Sequence, residues 1–95
     1  MTKAEVIAAI SDKTRLDKID VSSAIEVFFE TIKITMSEGE NIYVRGFGTF
    51  VNKRRVKKIL ANNSDIINLE HFVPSFKPAK VFSEKIKTSS RINQR

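Results

Sequence analysis

The sequence predicts an α+β fold in which two helices come first and a long two-stranded β-ribbon follows. Apolar residues recur at helical spacing from Val21 to Met36, which is the strongest periodic signal in the chain. After Asn41 the pattern changes to that of strands, and two extended stretches, residues 49–60 and 65–73, flank a turn-like segment. A chain of 95 residues fits one compact domain, near the size at which an oligomer adds useful stability.

The first half of the chain carries the signals of two helices. Thr2, followed three residues later by Glu5, forms a capping box, and the helix that begins there should end near residues 13–15. Asp17 is a candidate cap for the second helix, which Gly39 should end. The apolar stripe of this second helix is wide and aromatic, and consists of Val21, Ala24, Ile25, Phe28, Phe29, Ile32 and Met36. Either the rest of the chain or a second copy of it could cover that stripe.

The second half of the chain indicates strands joined by tight turns. Residues 42–44 form a short strand, and Gly46-Phe47-Gly48 indicates a tight turn of the backbone. Ala61-Asn62-Asn63-Ser64 has the composition of a hairpin turn. If Asn62 and Asn63 form a two-residue loop, the facing pairs are Ile59 with Ile66, Val56 with Leu69 and Arg55 with Glu70.

The end of the chain is predicted to be a short helix and a tail. Pro74 and Pro78 should end the return strand, because proline cannot donate to a ladder of hydrogen bonds. Residues 79–87 should form a third, short helix. Residues 88–95 are polar and basic, so we expect a flexible tail without secondary structure.

Composition excludes several classes of function. The 17 Lys and Arg residues outnumber the 11 Asp and Glu residues, and the net charge of +6 favours a polyanionic partner. There is no cysteine, and the single histidine, His71, is adjacent to Glu70 in a predicted strand, where neighbours point to opposite faces and form no dyad. We therefore expect no enzyme, no bound metal and no cofactor. The N-terminus lacks the plan of a secretory signal, and no apolar run could span a bilayer, so we expect a soluble cytoplasmic protein.

The predicted hairpin carries the most informative feature, a dense basic stretch. Lysines and arginines on a ribbon can bind phosphates along a groove of nucleic acid. Near the turn, Ile59 and Leu60 lie where the domain cannot bury them, and apolar side chains at the end of a basic ribbon suit insertion between base steps. Ile59 and Ile66 could instead only hold the two strands together. The basic residues of this stretch are Lys53, Arg54, Arg55, Lys57 and Lys58.

Over residues 1–87 the chain resembles the HU and integration host factor family of histone-like bacterial DNA-binding proteins. Four segments carry the resemblance: Met1-Thr2-Lys3-Ala4-Glu5, Gly39-Glu40-Asn41, Arg45-Gly46-Phe47-Gly48-Thr49-Phe50 and Val73-Pro74-Ser75-Phe76-Lys77-Pro78-Ala79-Lys80. The resemblance implies one domain over residues 1–87 that dimerises into a helical base under a saddle of β-strands. It also implies one protruding arm per subunit, over about residues 51–73, that reaches into the minor groove.

The resemblance also implies roles for single residues. Phenylalanines would form the aromatic core of the dimer, and lysines and an arginine outside the arm would contact the flanking DNA backbone. The resemblance gives Phe47, Phe50 and Phe76 as core residues, and the apolar stripe of the second helix adds Phe28 and Phe29. The flanking cations are Lys3, Lys77 and Lys80, and Arg45 is a further candidate for contact with DNA. At the tip of the arm, where the family has Asn-Pro-x-Thr-Gly, this chain has Ile59-Leu60-Ala61-Asn62-Asn63, and its arm is a few residues shorter. Leu60 is the nearest counterpart of the missing wedge proline.

These observations together predict a homodimer that binds duplex DNA through the minor groove with little sequence preference and bends or condenses it. The sequence also allows a heterodimer with a related subunit. In this interpretation the arm cations hold phosphates and Leu60 wedges a base step. Two alternatives stay open: an interaction module whose apolar arm docks on a protein without nucleic acid, and RNA binding, since phosphate contacts do not distinguish the two nucleic acids. As part of the nucleoid the protein would be cytoplasmic.

Overall fold

The structure is a computed structural model that describes residues 1–61 and 65–93. The elements along the chain are α1 (Lys3–Thr14), α2 (Lys18–Ser37), β1 (Ile42–Val44), β2 (Gly48–Ala61), β3 (Asp65–Pro78), α3 (Lys80–Lys87) and α4 (Ser90–Asn93). The chain divides into two compact units, the first comprising Met1–Ile34 and the second beginning at Thr35. The predicted order of two helices, a strand, a hairpin and a third helix is confirmed.

The first unit contains α1 and most of α2. Thr2 caps α1 as predicted: its Oγ1 atom accepts a hydrogen bond from the backbone N–H of Glu5 at 3.2 Å. α1 ends where predicted, because Arg15 takes the left-handed conformation (φ 65°) and its N–H bonds to the carbonyl of Ser11. An ion pair between Lys3 and Glu26 links the two helices. The buried residues of this unit are Ile7 and Val21.

The second unit is built on an antiparallel sheet with the strand order β1-β2-β3. β1 pairs with the start of β2, from Val44 opposite Gly48 to Ile42 opposite Phe50. The turn between them closes through the N–H of Phe47, which bonds to the carbonyl of Val44 at 3.0 Å. Gly48 allows the sheet to close tightly, because a Cβ atom at this position would come within 2.5 Å of the Phe76 ring.

β2 and β3 form a hairpin that pairs without interruption from Gly48 opposite Pro78 to Ala61 opposite Asp65. The predicted register was wrong by one residue. Ile59 lies opposite Ile67, not Ile66, and the partners of Val56 and Arg55 are Glu70 and His71. The pairing of Ala61 with Asp65 leaves three residues, not two, between the last paired positions, which accounts for the shift. The predicted loop residues Asn62 and Asn63 lie outside the described residues.

Two predictions about the end of the chain differ from the structure. β3 does not end at Pro74 but continues to Pro78. Because β3 is at the edge of the sheet, the missing N–H of a proline does not interrupt a further ladder. In the tail, where no secondary structure was expected, one helical turn forms α4. The third helix is confirmed and begins at Lys80.

Candidate nucleic-acid interface

Beyond Phe50 the sheet narrows to a two-stranded ribbon, which we call the arm. β1 pairs with β2 only between Gly48 and Phe50, so from Val51 outward β2 pairs with β3 alone within the described part of the chain. In an antiparallel ribbon, residues that are directly opposite share a face, and the next pair lies on the other face. The register therefore decides which basic side chains lie together.

Three arm cations share one face of the ribbon. Lys53, Arg55 and Lys57 alternate along β2, about 6.8 Å apart, and we call them the cation row. Their partners on β3 are Val73, His71 and Leu69, none of which is acidic. All three cations are exposed, and among the described residues no ion pair includes any of them. This face, the row face, thus presents a line of three positive charges with no acidic side chain directly opposite any of them.

The opposite face of the arm, the ion-pair face, carries the other two cations, Arg54 and Lys58. Arg54 forms an ion pair with Glu70, which is diagonal to it in the ladder, since Glu70 lies opposite Val56. The sequence had predicted Glu70 opposite Arg55, and the one-residue shift of register moves Glu70 to the other face. Exposed pairs of this kind add at most about 1 kcal/mol to stability, but here the pair reduces the positive charge of its face.

Both faces carry aliphatic side chains near the tip of the arm. Leu60 lies opposite Ile66 on the ion-pair face, and Ile59 lies opposite Ile67 on the row face. Leu60 is 71% exposed, whereas Ile59 is 36% exposed, so Leu60 offers the larger free apolar surface. The predicted wedge residue is therefore accessible. Ile66 and Ile67 on β3 are thus the cross-strand partners of the two candidate wedge residues.

The flanking cations predicted from the resemblance lie at several places. Arg45 is in the turn between β1 and β2, Lys77 is opposite Thr49 near the base of the arm, and Lys80 begins α3. All three side chains are exposed. Lys3 belongs to the first unit, where Glu26 already neutralises part of its charge.

A cluster of phenylalanines lies at the base of the arm. Phe47, Phe50 and Phe76 contact one another, with ring centroids 4.9 to 6.4 Å apart. Sequence reasoning missed the fourth member, Phe82, whose ring stacks on Phe47 at 5.3 Å. The apolar residues of α3 were the available signal, since they place Phe82 on one side of that short helix. Asn52 was also missed: its side-chain amide donates a hydrogen bond to the carbonyl of Met36 at 3.0 Å.

A single chain leaves most of its apolar surface uncovered. Among the described residues, only Ile7, Val21 and Met36 are buried hydrophobic side chains. Phe28 and Phe29 contact each other at 5.7 Å but remain 46% and 43% exposed. Large exposed apolar surfaces indicate an interface with another molecule. This surface fits the expected second subunit.

Other kinds of site have no support in the described part of the chain. No group of three or more histidine, aspartate or glutamate side chains there could hold a metal ion. No described helix combines the length and apolar character needed to cross a membrane. A shallow groove, lined by residues such as Phe47, Phe82, Ile86 and Arg91, lies beside α3 and α4.

Comparison of the sequence with known proteins gives a consistent result. The family model described as "Bacterial DNA-binding protein" matches residues 1–87. DNA-binding protein HU of Thermotoga maritima is 36% identical over 90 residues, which are 92% of this chain and all of that protein. Integration host factor subunit beta of Pseudoalteromonas atlantica is 36% identical over 90 residues, which are 90% of this chain and 94% of that protein.

Comparison of the structure points to the same proteins. The HU protein of an Anabaena HU–DNA cocrystal structure superposes with a TM-score of 0.77 at 25% identity, covering 94% of this chain and all of that chain.

Proposed function

Because the chain belongs to the family of bacterial DNA-binding proteins that includes HU and the subunits of integration host factor, we infer that it is an architectural DNA-binding protein and not an enzyme. The observation that carries this inference is the arm, a basic ribbon on a fold that matches an HU protein whose DNA complex is known. Such a protein acts by holding and deforming duplex DNA, with no chemical step.

The arm cations bind DNA by contacting its phosphates. Lysine and arginine side chains that meet phosphates release condensed counterions, which favours binding to any sequence. The cation row offers three such charges per subunit, and Arg54 and Lys58 add two on the other face. Outside the arm, Arg45, Lys77, Lys80 and Lys3 contact the flanking backbone. These contacts carry no base readout, so we expect little sequence preference.

Leu60 supplies the kink. A side chain that enters the minor groove between two base pairs unstacks them and bends the duplex. Leu60 is aliphatic, lies next to the tip and is largely exposed, which suits this role. Ile59 is the competing candidate, because it occupies the adjacent position on the row face.

The working unit is a dimer, as in the HU and integration host factor family. The uncovered phenylalanines Phe28 and Phe29, together with Phe47, Phe50 and Phe76, form its aromatic core. A homodimer needs only this chain, and a related subunit could replace one copy. One folded unit over residues 1–87, with an arm over about residues 51–73, is the domain organisation that fits this proposal. The protein is a nucleoid protein of the bacterial cytoplasm.

The comparisons do not favour the alternative of an interaction module without nucleic acid, since the matched proteins are DNA-binding proteins. A competition experiment tests the proposal directly. Labelled 30-base-pair duplex DNA is bound to the protein and displaced by unlabelled duplex DNA, duplex RNA or a neutral protein. Displacement by DNA, together with increased end-to-end energy transfer in the bound duplex, supports an architectural role. Equal displacement by RNA, or a straight bound duplex, contradicts it.

A further inference from the structure

The only histidine of the chain lies on the row face of the arm. His71 is directly opposite Arg55, and Lys53 and Lys57 are its diagonal neighbours on β2. Directly opposed side chains in a ladder have Cβ atoms about 5 Å apart, and diagonal ones about 7 to 8 Å. The imidazole therefore lies within the line of charges that the arm presents to DNA.

The charged groups around His71 are all cations on its own face. On β3 the residues two positions away are Leu69 and Val73, and the adjacent Glu70 points to the ion-pair face, where Arg54 binds it. Asp65 is on the row face but six residues along the strand, about 20 Å away. β3 is the edge strand of the sheet, so β2 is the only strand that pairs with it in the described part of the chain.

These surroundings make the charge of the imidazole depend on DNA. Phosphates bound along the cation row would lie close to His71 as well, because His71 is directly opposite Arg55. A nearby negative charge favours the protonated form of an imidazole. Histidine is also the one side chain that ordinarily changes charge between about pH 5 and 8.

We propose that His71 is a fourth phosphate-binding side chain of the row face and that it binds DNA in its protonated form. This inference rests on the proposed function. It adds a residue that the basic stretch does not include, and it makes DNA binding by this chain dependent on pH. The sign follows from linkage: if binding takes up a proton, affinity falls as pH rises.

The experiment measures the affinity of the full chain for a 30-base-pair duplex between pH 5.5 and 8 at fixed salt. Wild-type affinity should be about tenfold higher at pH 5.5 than at pH 8 for each bound arm, because a nearby opposite charge favours the charged form by about a factor of ten or more. The fall of log affinity with log salt should be steeper at pH 5.5, by about 0.9 for each additional phosphate neutralised.

Three variants separate a local contact from a general charge effect. His71→Gln should lose most of the pH dependence, and His71→Arg should bind at pH 8 about as tightly as the wild type does at pH 5.5. The double variant His71→Gln/Asn68→His moves the imidazole to the ion-pair face, because Asn68 lies opposite Lys58. It should recover at most a small part of the pH dependence, because the carboxylate of Glu70 lies two residues away on the same face and favours a protonated imidazole with or without DNA.

The outcomes distinguish this inference from the proposed function. Tight binding that is independent of pH, or an equal pH dependence in wild type and His71→Gln, overturns the role of His71 and leaves DNA binding intact. Full restoration by the double variant also overturns it, since only net charge would then matter. A protein that binds no DNA at any pH overturns the proposed function and this inference with it.

Discussion

The side-chain amide of Asn52 donates a hydrogen bond to the backbone carbonyl of Met36 at 3.0 Å. The backbone N–H of the same residue donates a second hydrogen bond, to the Oδ1 atom of Asn41 at 2.9 Å. Asn52 thus joins the last turn of α2, whose carbonyl groups lack helical partners, to the start of the arm. It is one of the few polar residues of the arm strands that is not fully exposed.

The first prediction concerns this connection. Asn52→Ala removes the side-chain hydrogen bonds and should lower the free energy of unfolding by about 1 to 2 kcal/mol. Urea unfolding followed by circular dichroism measures the change at a fixed protein concentration. Asn68→Ala, an exposed arm position without a comparable bond, is the control and should change little. Equal effects of the two changes would mean that the Asn52 bond contributes nothing specific.

The second prediction concerns Gly48. A methyl group there would lie 2.5 Å from the Phe76 ring and 2.6 Å from the carbonyl of Lys77. Gly48→Ala should therefore force the strands apart and cost about 1 to 3 kcal/mol, the usual range for overpacking. Thr49→Ala, at the next position of the same strand, is the matched control. Thermal unfolding distinguishes them, and an unchanged melting temperature for Gly48→Ala would contradict the close approach.

The third prediction is a stabilisation. Arg15 ends α1 in the left-handed conformation, which costs a side chain about 1 to 2 kcal/mol relative to glycine. Arg15→Gly should raise the free energy of unfolding by about 0.5 to 1 kcal/mol, since part of the gain is lost to the greater freedom of the unfolded chain. Ala9→Gly, inside the same helix, should have the opposite effect and cost about 1 kcal/mol. A loss of stability in both variants would show that the Arg15 side chain contributes more than its backbone strain costs.

The fourth prediction concerns the contacts between the arm cations and DNA phosphates. The slope of log affinity against log salt should fall by about 0.9 for each phosphate contact removed. Lys53→Ala/Lys57→Ala removes two unpaired charges of the cation row and should flatten the slope by about 1.8 per bound arm. Arg54→Ala/Lys58→Ala removes the same number of charges from the ion-pair face, where Glu70 already neutralises Arg54, and should flatten it less. A larger effect of the second pair would place the phosphates on the ion-pair face.

The fifth prediction separates bending from binding. Unstacking a base step costs a few kcal/mol, so a shortened wedge should leave the protein bound but the duplex straighter. Leu60→Ala should reduce the bend measured by end-to-end energy transfer far more than it weakens binding at low salt. Ile59→Ala is the matched change on the row face. If Ile59→Ala alone straightens the duplex, the wedge and the cation row share a face. If neither does, no wedge acts at this tip.

The sequence predicted the order and approximate bounds of the helices and strands correctly, because the patterns that indicate them are local. Thr2 caps α1, and α2 ends at Ser37, just before Gly39, which has a positive φ of 90°. The register of the arm was wrong because it depends on the number of residues in the turn, and no local pattern distinguishes two from three. A shift of one residue was enough to move Glu70 away from Arg55 and to place His71 opposite Arg55 on the row face.

The contacts between distant segments could not be read from the sequence. Nothing in the pattern around Asn52 indicates that its amide reaches Met36, 16 residues earlier, and the ring contact of Phe82 with Phe47 likewise depends on where α3 returns.

The scarcity of buried side chains in a single chain has a consequence for the amount of protein that a cell maintains. A subunit with few core residues of its own owes much of its folding free energy to association, so the folded fraction depends on subunit concentration. Newly made chains that have not bound a partner subunit remain largely unfolded and accessible to proteases, whereas chains in the dimer are protected. Steady-state abundance should thus rise more steeply than the rate of synthesis. Where a related subunit is also made, each would set the lifetime of the other.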